Sequence, residues 1–322
     1  MTYARIAGVG SFLPEKVLTN KDLEGMMDTS DEWIRERTGI KRRHIAAADE
    51  TTASMSLEAA SRALAMAETD PSEIDLIVVG TCTPDKVIPA TACIVQRQLG
   101  IEGCGAMDIN AACSGFVYGL DYANRYMITG GGKKALVIGA ETLSRITDWE
   151  DRTTAVLFGD GAGAVVLETS EEPGILATHI HANGAYEELL HTRHGVSLGF
   201  DASCERGASI EMNGNAVFKR AVGTFDAMTR ETIADLDGHL DDIDWFIPHQ
   251  ANMRIITAAA RKLEMPMERV IATVDEHANT SGASIPLALD LAVRDGRIKR
   301  GDMLLMAAFG AGFTWGSAML RF

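Results

Sequence analysis

The chain has few cysteines, and they form no metal-binding or redox pair. It contains five in 322 residues, and no two of them are separated by only two positions. A sparse, odd-numbered set argues against a disulfide framework and against a structural zinc site, and it is typical of a reducing compartment. We therefore expect a cytoplasmic protein.

Long apolar runs are also missing. No stretch of 18 consecutive apolar residues occurs, so the sequence predicts no transmembrane helix. Residues 1–7 lack the apolar segment that is typical of a secretory signal peptide. We therefore expect no membrane association.

The chain has fewer basic residues than acidic ones. The 30 lysines and arginines are outnumbered by 45 aspartates and glutamates, for a net charge of −15 at pH 7. This balance argues against general nucleic-acid binding, and an acidic partner would need a local basic patch.

Strand-like and helix-like segments alternate, and the second half of the chain repeats the order of the first. The length fits one large or two medium domains, and the apolar segments recur at an offset of about 155–170 residues. Chance similarity among apolar strands is the alternative, but three recurrences in one order disfavour it. We predict two similar α/β halves, 1–172 and 173–322, with a loop insertion near 190–214. The matching pairs are 74–79 with 243–247, 135–140 with 303–308, and 161–167 with 314–320.

Cys113 is the first candidate for chemistry. A strand-like segment, 105–109, runs into a cluster of small residues around it, and a helix-like segment, 114–129, follows. The free N–H groups and the positive end of that helix are expected to favour the thiolate, and small neighbours admit a substrate carbonyl. The alternative is a buried structural cysteine.

Two further turns carry polar candidates. His249 follows a buried strand-like segment, and ligands gather at the carboxyl ends of parallel strands. Asn279 lies in a turn of small polar residues that follows the apolar run 270–274 and corresponds, in the repeat, to the turn of Cys113. A satisfied structural histidine and ordinary turn chemistry are the alternatives. The loop 309–313, which contains Ala311, can present backbone N–H groups to a substrate oxygen, whether or not it is also a tight hairpin.

Several motif-like patterns fail. The glycine-rich segment 159–163 precedes a strand rather than a helix, so it is not a dinucleotide site, and 130–134 lacks the spacing of a P-loop. The histidine pairs 179/181 and 191/194 have no clear third ligand. We therefore predict no metal site.

A cysteine, a histidine and an asparagine on three strand-end turns, in that order, resemble the thiolase superfamily. More narrowly, the chain resembles the β-ketoacyl-acyl-carrier-protein (ACP) synthase III family, the initiating condensing enzymes of bacterial type II fatty-acid synthesis. The resemblance covers essentially the whole chain. Besides the segment around Cys113, it rests on 6–14, 29–34, 37–40, 158–164, 249–252, 279–281 and 312–317.

The resemblance implies an α/β, thiolase-like fold with five layers, α-β-α-β-α, and a pseudo-twofold repeat. It implies that Cys113 takes the acyl group of a short acyl-CoA. His249 and Asn279 would donate hydrogen bonds to the thioester oxygen of malonyl-ACP as CO2 leaves, and the product would be a β-ketoacyl-ACP. Backbone N–H groups of Cys113 and Ala311 would form the oxyanion hole. No metal or redox cofactor is implied, and coenzyme A enters only as the substrate thioester.

Binding residues follow from the same resemblance. Trp33 would stack on the adenine of coenzyme A with Arg152 on the other face, and Ile88 would close the acyl pocket where relatives often have phenylalanine, which leaves the primer open. A homodimer is implied, paired through the sheet edge near the nucleophile strand. The contacts to coenzyme A would be Thr29, Trp33, Arg37, Arg152, Gly214, Asn215 and Phe218. The basic patch for ACP would be Arg254, Arg261, Lys262 and Lys219. The alternative for this patch is an ordinary solvated helix face.

Rival functions remain. A condensing or acyl-transfer relative of secondary metabolism with another acceptor would share all three residues. A hydroxymethylglutaryl-CoA synthase is disfavoured by the histidine–asparagine pair, and a cysteine hydrolase would turn over thioesters without a malonyl acceptor. A non-catalytic acyl-binding module is disfavoured by the intact trio.

Overall fold

A computed structural model describes residues 2–199, 209–235 and 240–322. Its first sheet contains strands of the N-terminal half in the order β1-β7-β6-β4-β5. Its second contains strands of the C-terminal half in the order β11-β12-β13-β8. The strands of the described residues are β1 (Tyr3–Phe12), β2 (Val17–Thr19), β3 (Arg42–His44), β4 (Leu76–Gly80), β5 (Gly105–Ile109), β6 (Lys134–Thr142), β7 (Asp160–Ser170), β8 (Ile175–Ala182), β9 (Leu190–Thr192), β10 (Ile210–Met212), β11 (Trp245–Pro248), β12 (Met303–Gly310) and β13 (Thr314–Arg321).

The two sheets repeat one topology. In each, a long antiparallel pair (β6 with β7, β12 with β13) lies between an antiparallel edge strand (β1 or β8) and a parallel neighbour (β4 or β11). The counterpart of β5 is only a bridge between Phe246 and Val270. This is the repeat that the apolar segments predicted. The division between residues 172 and 173 remains a prediction, and it falls in the connection from β7 to β8.

Helices form three layers around the sheets. α3 and α4 cover the outside of the first sheet, α5 and α10 lie between the sheets, and α7, packed on α8, covers the second. The layer order is thus α-β-α-β-α, as predicted. The helices are α1 (Asn20–Glu24), α2 (Asp31–Thr38), α3 (Thr52–Met66), α4 (Thr91–Gln98), α5 (Gly115–Ile128), α6 (Arg152–Ala155), α7 (Gly214–Ala234), α8 (Met253–Lys262), α9 (Val274–His277) and α10 (Ser284–Arg294).

The middle layer explains why the central strands read as continuous apolar runs. β4 is buried at every position, because α5 covers one face and α3 and α4 cover the other. α5 and α10 are themselves largely buried, since each has a sheet on both sides. The turns that precede these two helices are therefore held between the sheets.

The predicted insertion is in part a hairpin. β9 and β10 pair in antiparallel register from Leu190 with Met212 to Thr192 with Ile210. The middle of the stretch, 200–208, lies outside the described residues. No helix among the described residues is long and apolar enough to cross a bilayer.

Candidate active site

A cavity of about 1450 Å³ brings the three predicted turns together. Cys113, His249 and Asn279 all line it, although they are far apart in the chain. The other predicted residues that line it are Trp33, Arg37, Gly214, Asn215, Phe218, Arg254 and Ala311.

Cys113 lies in a short 3-10 turn, Ala112–Ser114, between β5 and α5. The turn fits because Gly115 starts α5 against Gly80 of β4: a Cβ on Gly80 would lie 2.5 Å from the Gly115 carbonyl carbon. Ala112, just before the nucleophile, has φ +46°, a left-handed conformation that costs energy in a residue with a side chain. Packing between the sheets therefore holds Cys113 in a constrained turn.

The protonation state of Cys113 differs from the prediction. Burial, with a smaller contribution from the nearby Glu141 carboxylate, raises the pKa of the Cys113 thiol to about 12, and the Ser281 hydroxyl partly opposes the rise. Loss of solvation is the largest cause, so the shift is opposite to the lowering that we expected from α5. Cys113 is therefore a thiol at neutral pH.

The backbone at the end of β12 packs against the turn of Cys113. A Cβ on Gly310 would lie 2.7 Å from the Cys113 backbone nitrogen, so these two backbones are packed against each other. Ala311, the next residue, lines the cavity. The arrangement is compatible with the predicted oxyanion hole of Cys113 and Ala311, which remains a prediction.

His249 directly follows β11 and is 1% exposed. Its Nδ1 lies 2.6 Å from the Ser284 Oγ, and the backbone N–H of Gln250 donates to the same oxygen at 3.2 Å. A serine hydroxyl can accept and donate at once, so this geometry is compatible with a hydroxyl that donates to Nδ1, which would place the ring proton on Nε2. Burial lowers the pKa of His249 to about 3, so the ring is neutral, and in this tautomer its Nε2 is a hydrogen-bond donor.

Asn279 is fixed by the turn that follows it. Its Oδ1 accepts a hydrogen bond from the Ser281 backbone N–H at 2.9 Å, which leaves the Nδ2 group to donate. Its backbone pairs with Leu157 and Gly159. His249 and Asn279 therefore both present N–H donors on the side chains that line the cavity of Cys113.

Gln250 connects the histidine turn to the segment before Asn279. Its Nε2 donates to the carbonyls of Pro248 and Ile271, and its Oε1 accepts from the backbone N–H groups of Thr273 and Val274. Both donor positions and both acceptor positions of this buried amide are therefore used. Gln250 therefore fixes the position of the histidine turn relative to the segment before Asn279.

Glu141 is a site residue that the sequence did not reveal. It is fully buried at the end of β6, and its oxygens accept hydrogen bonds from Thr83 at 2.6 Å, Ser281 at 3.1 Å and the Cys82 backbone at 3.2 Å. Burial raises the pKa of Glu141 above its usual range. It holds Ser281, which in turn holds Asn279; no local motif marks such a residue, because its partners come from distant segments.

Trp33 and Arg37 lie at the cavity, as predicted for the coenzyme A end. Arg152 lies over Trp33, with its guanidinium carbon 5.0 Å from the ring centre, and Arg37 lies at 6.0 Å. A ring inserted between two stacked groups needs roughly 7 Å, twice a van der Waals contact, so Arg152 must move to admit an adenine. Thr29 does not line the cavity, and its hydroxyl is buried without a hydrogen-bond partner.

The start of α7 forms another wall. Asn213 caps this helix by accepting from the Ala216 N–H, and Gly214, Asn215 and Phe218 follow along the cavity. These are the residues predicted for the pantetheine channel.

Ile88 does not line the cavity within its own chain. It is 83% exposed, and its neighbour Val87 is 70% exposed. Both lie in the loop before α4, whose first N–H groups are held by Asp108 of the edge strand β5. The role of Ile88 in closing an acyl pocket stays a prediction.

The predicted basic patch is only partly assembled. Arg254 and Arg261 line a shallow groove on α8 beside the cavity, and Arg254 lies over the Phe218 ring at 5.4 Å. Lys262 instead lies 3.9 Å from Asp226 of α7, so its charge is partly compensated. Lys219 is exposed on α7 and lines neither the groove nor the cavity.

Comparison with family profiles gives two matches. Residues 107–184 match 3-oxoacyl-[acyl-carrier-protein (ACP)] synthase III, and residues 233–322 match the C-terminal part of the same family. The first match begins just before Cys113, and the second contains His249 and Asn279.

Known proteins resemble the chain over its full length. A β-ketoacyl-[acyl-carrier-protein] synthase III of Thioalkalivibrio sulfidiphilus is 62% identical over 322 residues, which is 100% of both chains. The crystal structure of 3-oxoacyl-[acyl-carrier-protein] synthase III from Aquifex aeolicus is 49% identical, with a TM-score of 0.93 over 99% of this chain and 100% of that one. The priming β-ketosynthase of the R1128 polyketide pathway is 37% identical, with a TM-score of 0.95 over 99% and 96%.

Proposed function

The chain belongs to the 3-oxoacyl-[acyl-carrier-protein] synthase III family, and on that premise we propose that Cys113, His249 and Asn279 carry out its condensation reaction. It is an acyltransferase with a thiolase-like fold, and it initiates fatty-acid synthesis. The observation that carries the residue assignment is the convergence of one thiol and two N–H donors on a single cavity.

The first half-reaction transfers an acyl group to the enzyme. The Cys113 sulfur attacks the thioester carbon of a short acyl-CoA, the carbon–sulfur bond to coenzyme A breaks, and the thiol proton ends on the departing coenzyme A sulfur. Backbone N–H groups of Cys113 and Ala311 stabilise the tetrahedral oxyanion; each such donor contributes about 3–4 kcal/mol in comparable sites.

The second half-reaction forms the carbon–carbon bond. Malonyl-ACP loses CO2, and the N–H groups of His249 and Asn279 stabilise the enolate oxygen that forms. The enolate carbon attacks the acyl-cysteine, and Cys113 leaves as a thiolate that takes up a proton. A neutral His249 with its proton on Nε2 suits this role, because it donates a hydrogen bond throughout and need not be charged. The reaction has no net oxidation or reduction, so it requires no redox cofactor. We also propose that no metal takes part, because the N–H donors stabilise the negative charge that develops.

Coenzyme A is proposed to enter along Trp33, Arg37 and the start of α7. Arg152 would move off the Trp33 ring and return to the other face of the adenine. The Thr29 hydroxyl is buried and would have to become exposed before it could bind coenzyme A. We therefore assign Thr29 no contact with coenzyme A in this conformation.

The ACP is proposed to dock at the groove of Arg254 and Arg261. Both arginines lie on α8 beside the cavity, where local positive charge can steer an acidic partner in spite of the chain's net charge of −15. Lys219 and Lys262 lie farther out and would act at longer range.

A homodimer is proposed through β5. This strand is the free edge of the first sheet, and the exposed Val87 and Ile88 lie next to it, because Asp108 of β5 holds the start of α4. An unpaired edge beside exposed apolar side chains favours pairing with a second copy. Ile88 would then contact the partner rather than its own cavity. We also propose that the enzyme works in the cytoplasm.

Acylation and discharge test the proposal. The purified protein is incubated with a panel of acyl-CoAs, with and without malonyl-ACP, and intact mass is measured for wild type and Cys113→Ala. One acyl group should add to wild type only and leave as β-ketoacyl-ACP when malonyl-ACP is supplied, and the panel then names the primer. Acylation that malonyl-ACP does not discharge would favour the alternative, a condensing enzyme with another acceptor. The absence of any acylation would remove Cys113 as the nucleophile.

A further inference from the structure

A cluster of histidines and carboxylates lies on the outer face of the second sheet. His179 and His181 are two apart on β8, so both point to the same face, and Glu231 lies opposite them on the last turn of α7. The His181 Nε2 is 2.9 Å from Glu231 Oε2, and the His179 Nδ1 is 3.6 Å from Glu231 Oε1. None of these residues lines the active-site cavity.

The cluster has unused ligand capacity. One potential ligand atom from each of the three side chains lies within 4.8 Å of the others. The His179 Nε2 is buried without a hydrogen bond, although the Asp235 carboxylate is only 2.9 Å away. The His179 ring thus has a carboxylate beside each nitrogen, Glu231 beside Nδ1 and Asp235 beside Nε2, and negative charge on both sides of an imidazole favours a cation.

The rings are also held in place. The His179 and His181 rings are stacked with an interplanar angle of 3°, and His181 stacks on Trp315 of the neighbouring strand β13 at 5.6 Å. The tyrosine Tyr118 of α5 donates to the His181 carbonyl at 2.7 Å, which fixes the backbone below the ring. An ion would therefore find two of its ligands already oriented.

We propose that His179, His181 and Glu231 bind a divalent transition-metal ion of the zinc type, while Asp235 holds the opposite ring nitrogen of His179. Imidazole nitrogens with carboxylate oxygens are a common zinc ligand set, and the distances of about 2.0–2.2 Å that it requires need only a small contraction of the cluster. No third ligand for this histidine pair was recognisable in the sequence, because Glu231 lies 50 residues beyond His181. The ion would tie the edge strand β8 to the end of α7 and would take no part in the reaction.

Zinc titration tests the site. The full-length protein is treated with a chelator, dialysed and titrated with zinc chloride by calorimetry. Wild type should bind one ion per chain, and the affinity should fall at least tenfold in His181→Asn and in Glu231→Gln. His191→Asn is the matched control, since His191 also lies near a glutamate, Glu188, but outside the cluster, and it should bind as wild type does.

Fluorescence provides a second measurement that needs no ligand variant. Cu²⁺ should quench the emission of Trp315 at one equivalent, and Trp315→Phe should remove that part of the quenching. The proposal is overturned if wild type binds no zinc, if the His191→Asn control loses as much affinity as the cluster variants, or if His181→Asn and Glu231→Gln bind zinc as wild type does. In each of these cases the cluster is an ion-pair network alone, and the assignment of Cys113 is unaffected.

Discussion

Ser284 decides which nitrogen of His249 carries the proton. Ser284→Ala removes the donor to Nδ1 and should slow condensation about tenfold, since one hydrogen bond contributes roughly 1.4 kcal/mol. Acyl transfer to Cys113 should keep its rate, because His249 acts only in the second half-reaction. Stopped-flow measurement of acylation, beside steady-state condensation, separates the two.

Ser56→Ala is the control for that experiment. Ser56 is a buried serine of α3 whose hydroxyl bonds its own helix, away from the cavity. Equal slowing of both half-reactions by Ser284→Ala would show general damage to the site and contradict the assigned tautomer.

The raised pKa of Cys113 predicts slow alkylation near neutral pH. The rate with iodoacetamide should rise about tenfold per unit between pH 7 and 10 and reach no plateau there, since only the thiolate reacts. Mass spectrometry of the modified peptide gives the rate at each pH. A plateau below pH 8 would mean that the positive end of α5 outweighs burial.

At the residue scale, the sequence predicted the polar residues that interrupt an apolar run, and it missed the residues that hold those polar residues in place. Cys113, His249 and Asn279 stand out because each follows an apolar run at a turn. Glu141 and Ser284 do not, because their role depends on contacts across 140 and 35 positions of sequence. The direction of the Cys113 pKa was wrong for the same reason: burial is a property of the packed molecule.

At the scale of elements, Gly310 of β12 sets the distance to the nucleophile turn. Gly310→Ala would place a Cβ 2.7 Å from the Cys113 nitrogen and 3.0 Å from its Cβ, so the turn must shift. We expect a loss of acylation of about 100-fold, in the range reported for removal of one oxyanion donor. Acylation followed by intact mass measures it.

Gly223→Ala is the matched control. Gly223 lies inside α7, and a Cβ there would meet nothing within 4 Å. This variant should acylate normally and be about 1 kcal/mol more stable, because alanine favours helices over glycine. Normal acylation of Gly310→Ala would contradict the close approach of the two backbones.

Element positions were largely predictable, and their ends less so. β5 covers the predicted segment, Gly105–Ile109, and the helix expected over 114–129 is α5, Gly115–Ile128. Residues 29–32 have the spacing of a capping box with Thr29 as the cap, but in the structure Ser30 caps α2 by accepting from the Trp33 N–H. Adjacent hydroxyl residues offer equivalent caps, and only the backbone angles of the folded chain choose between them.

At the scale of the molecule, two buried histidines make stability depend on pH. Burial lowers the pKa of His249 to about 3 and of His277 to about 4, from 6.5 when exposed. As the pH falls below 6.5, these two histidines therefore bind protons in the unfolded chain but stay neutral in the folded chain. The free energy of unfolding should drop by about 2 kcal/mol per histidine from pH 8 to pH 5.

Chemical denaturation of wild type and His277→Gln at both pH values measures this effect. The variant should lose about half as much of the histidine-dependent stability as wild type, since His249 remains. An equal loss in both proteins would show that other groups cause the pH dependence.

The repeat predicted two similar α/β halves, and the family resemblance implied their five-layered arrangement; the structure has both. What a single sequence could not give is which surface meets another chain. Ile88 illustrates this: its position in the sequence predicted a pocket wall, and the folded chain places it on the surface.

The contact between Arg152 and Trp33 has a consequence for kinetics. If coenzyme A stacks on Trp33 as proposed, it can bind only the fraction of molecules in which the arginine has left the ring, so the apparent affinity would fall in proportion to that fraction. The same side chain, once returned over the bound adenine, would delay dissociation of coenzyme A. One arginine would then slow both arrival and departure, and turnover would depend on how often it moves.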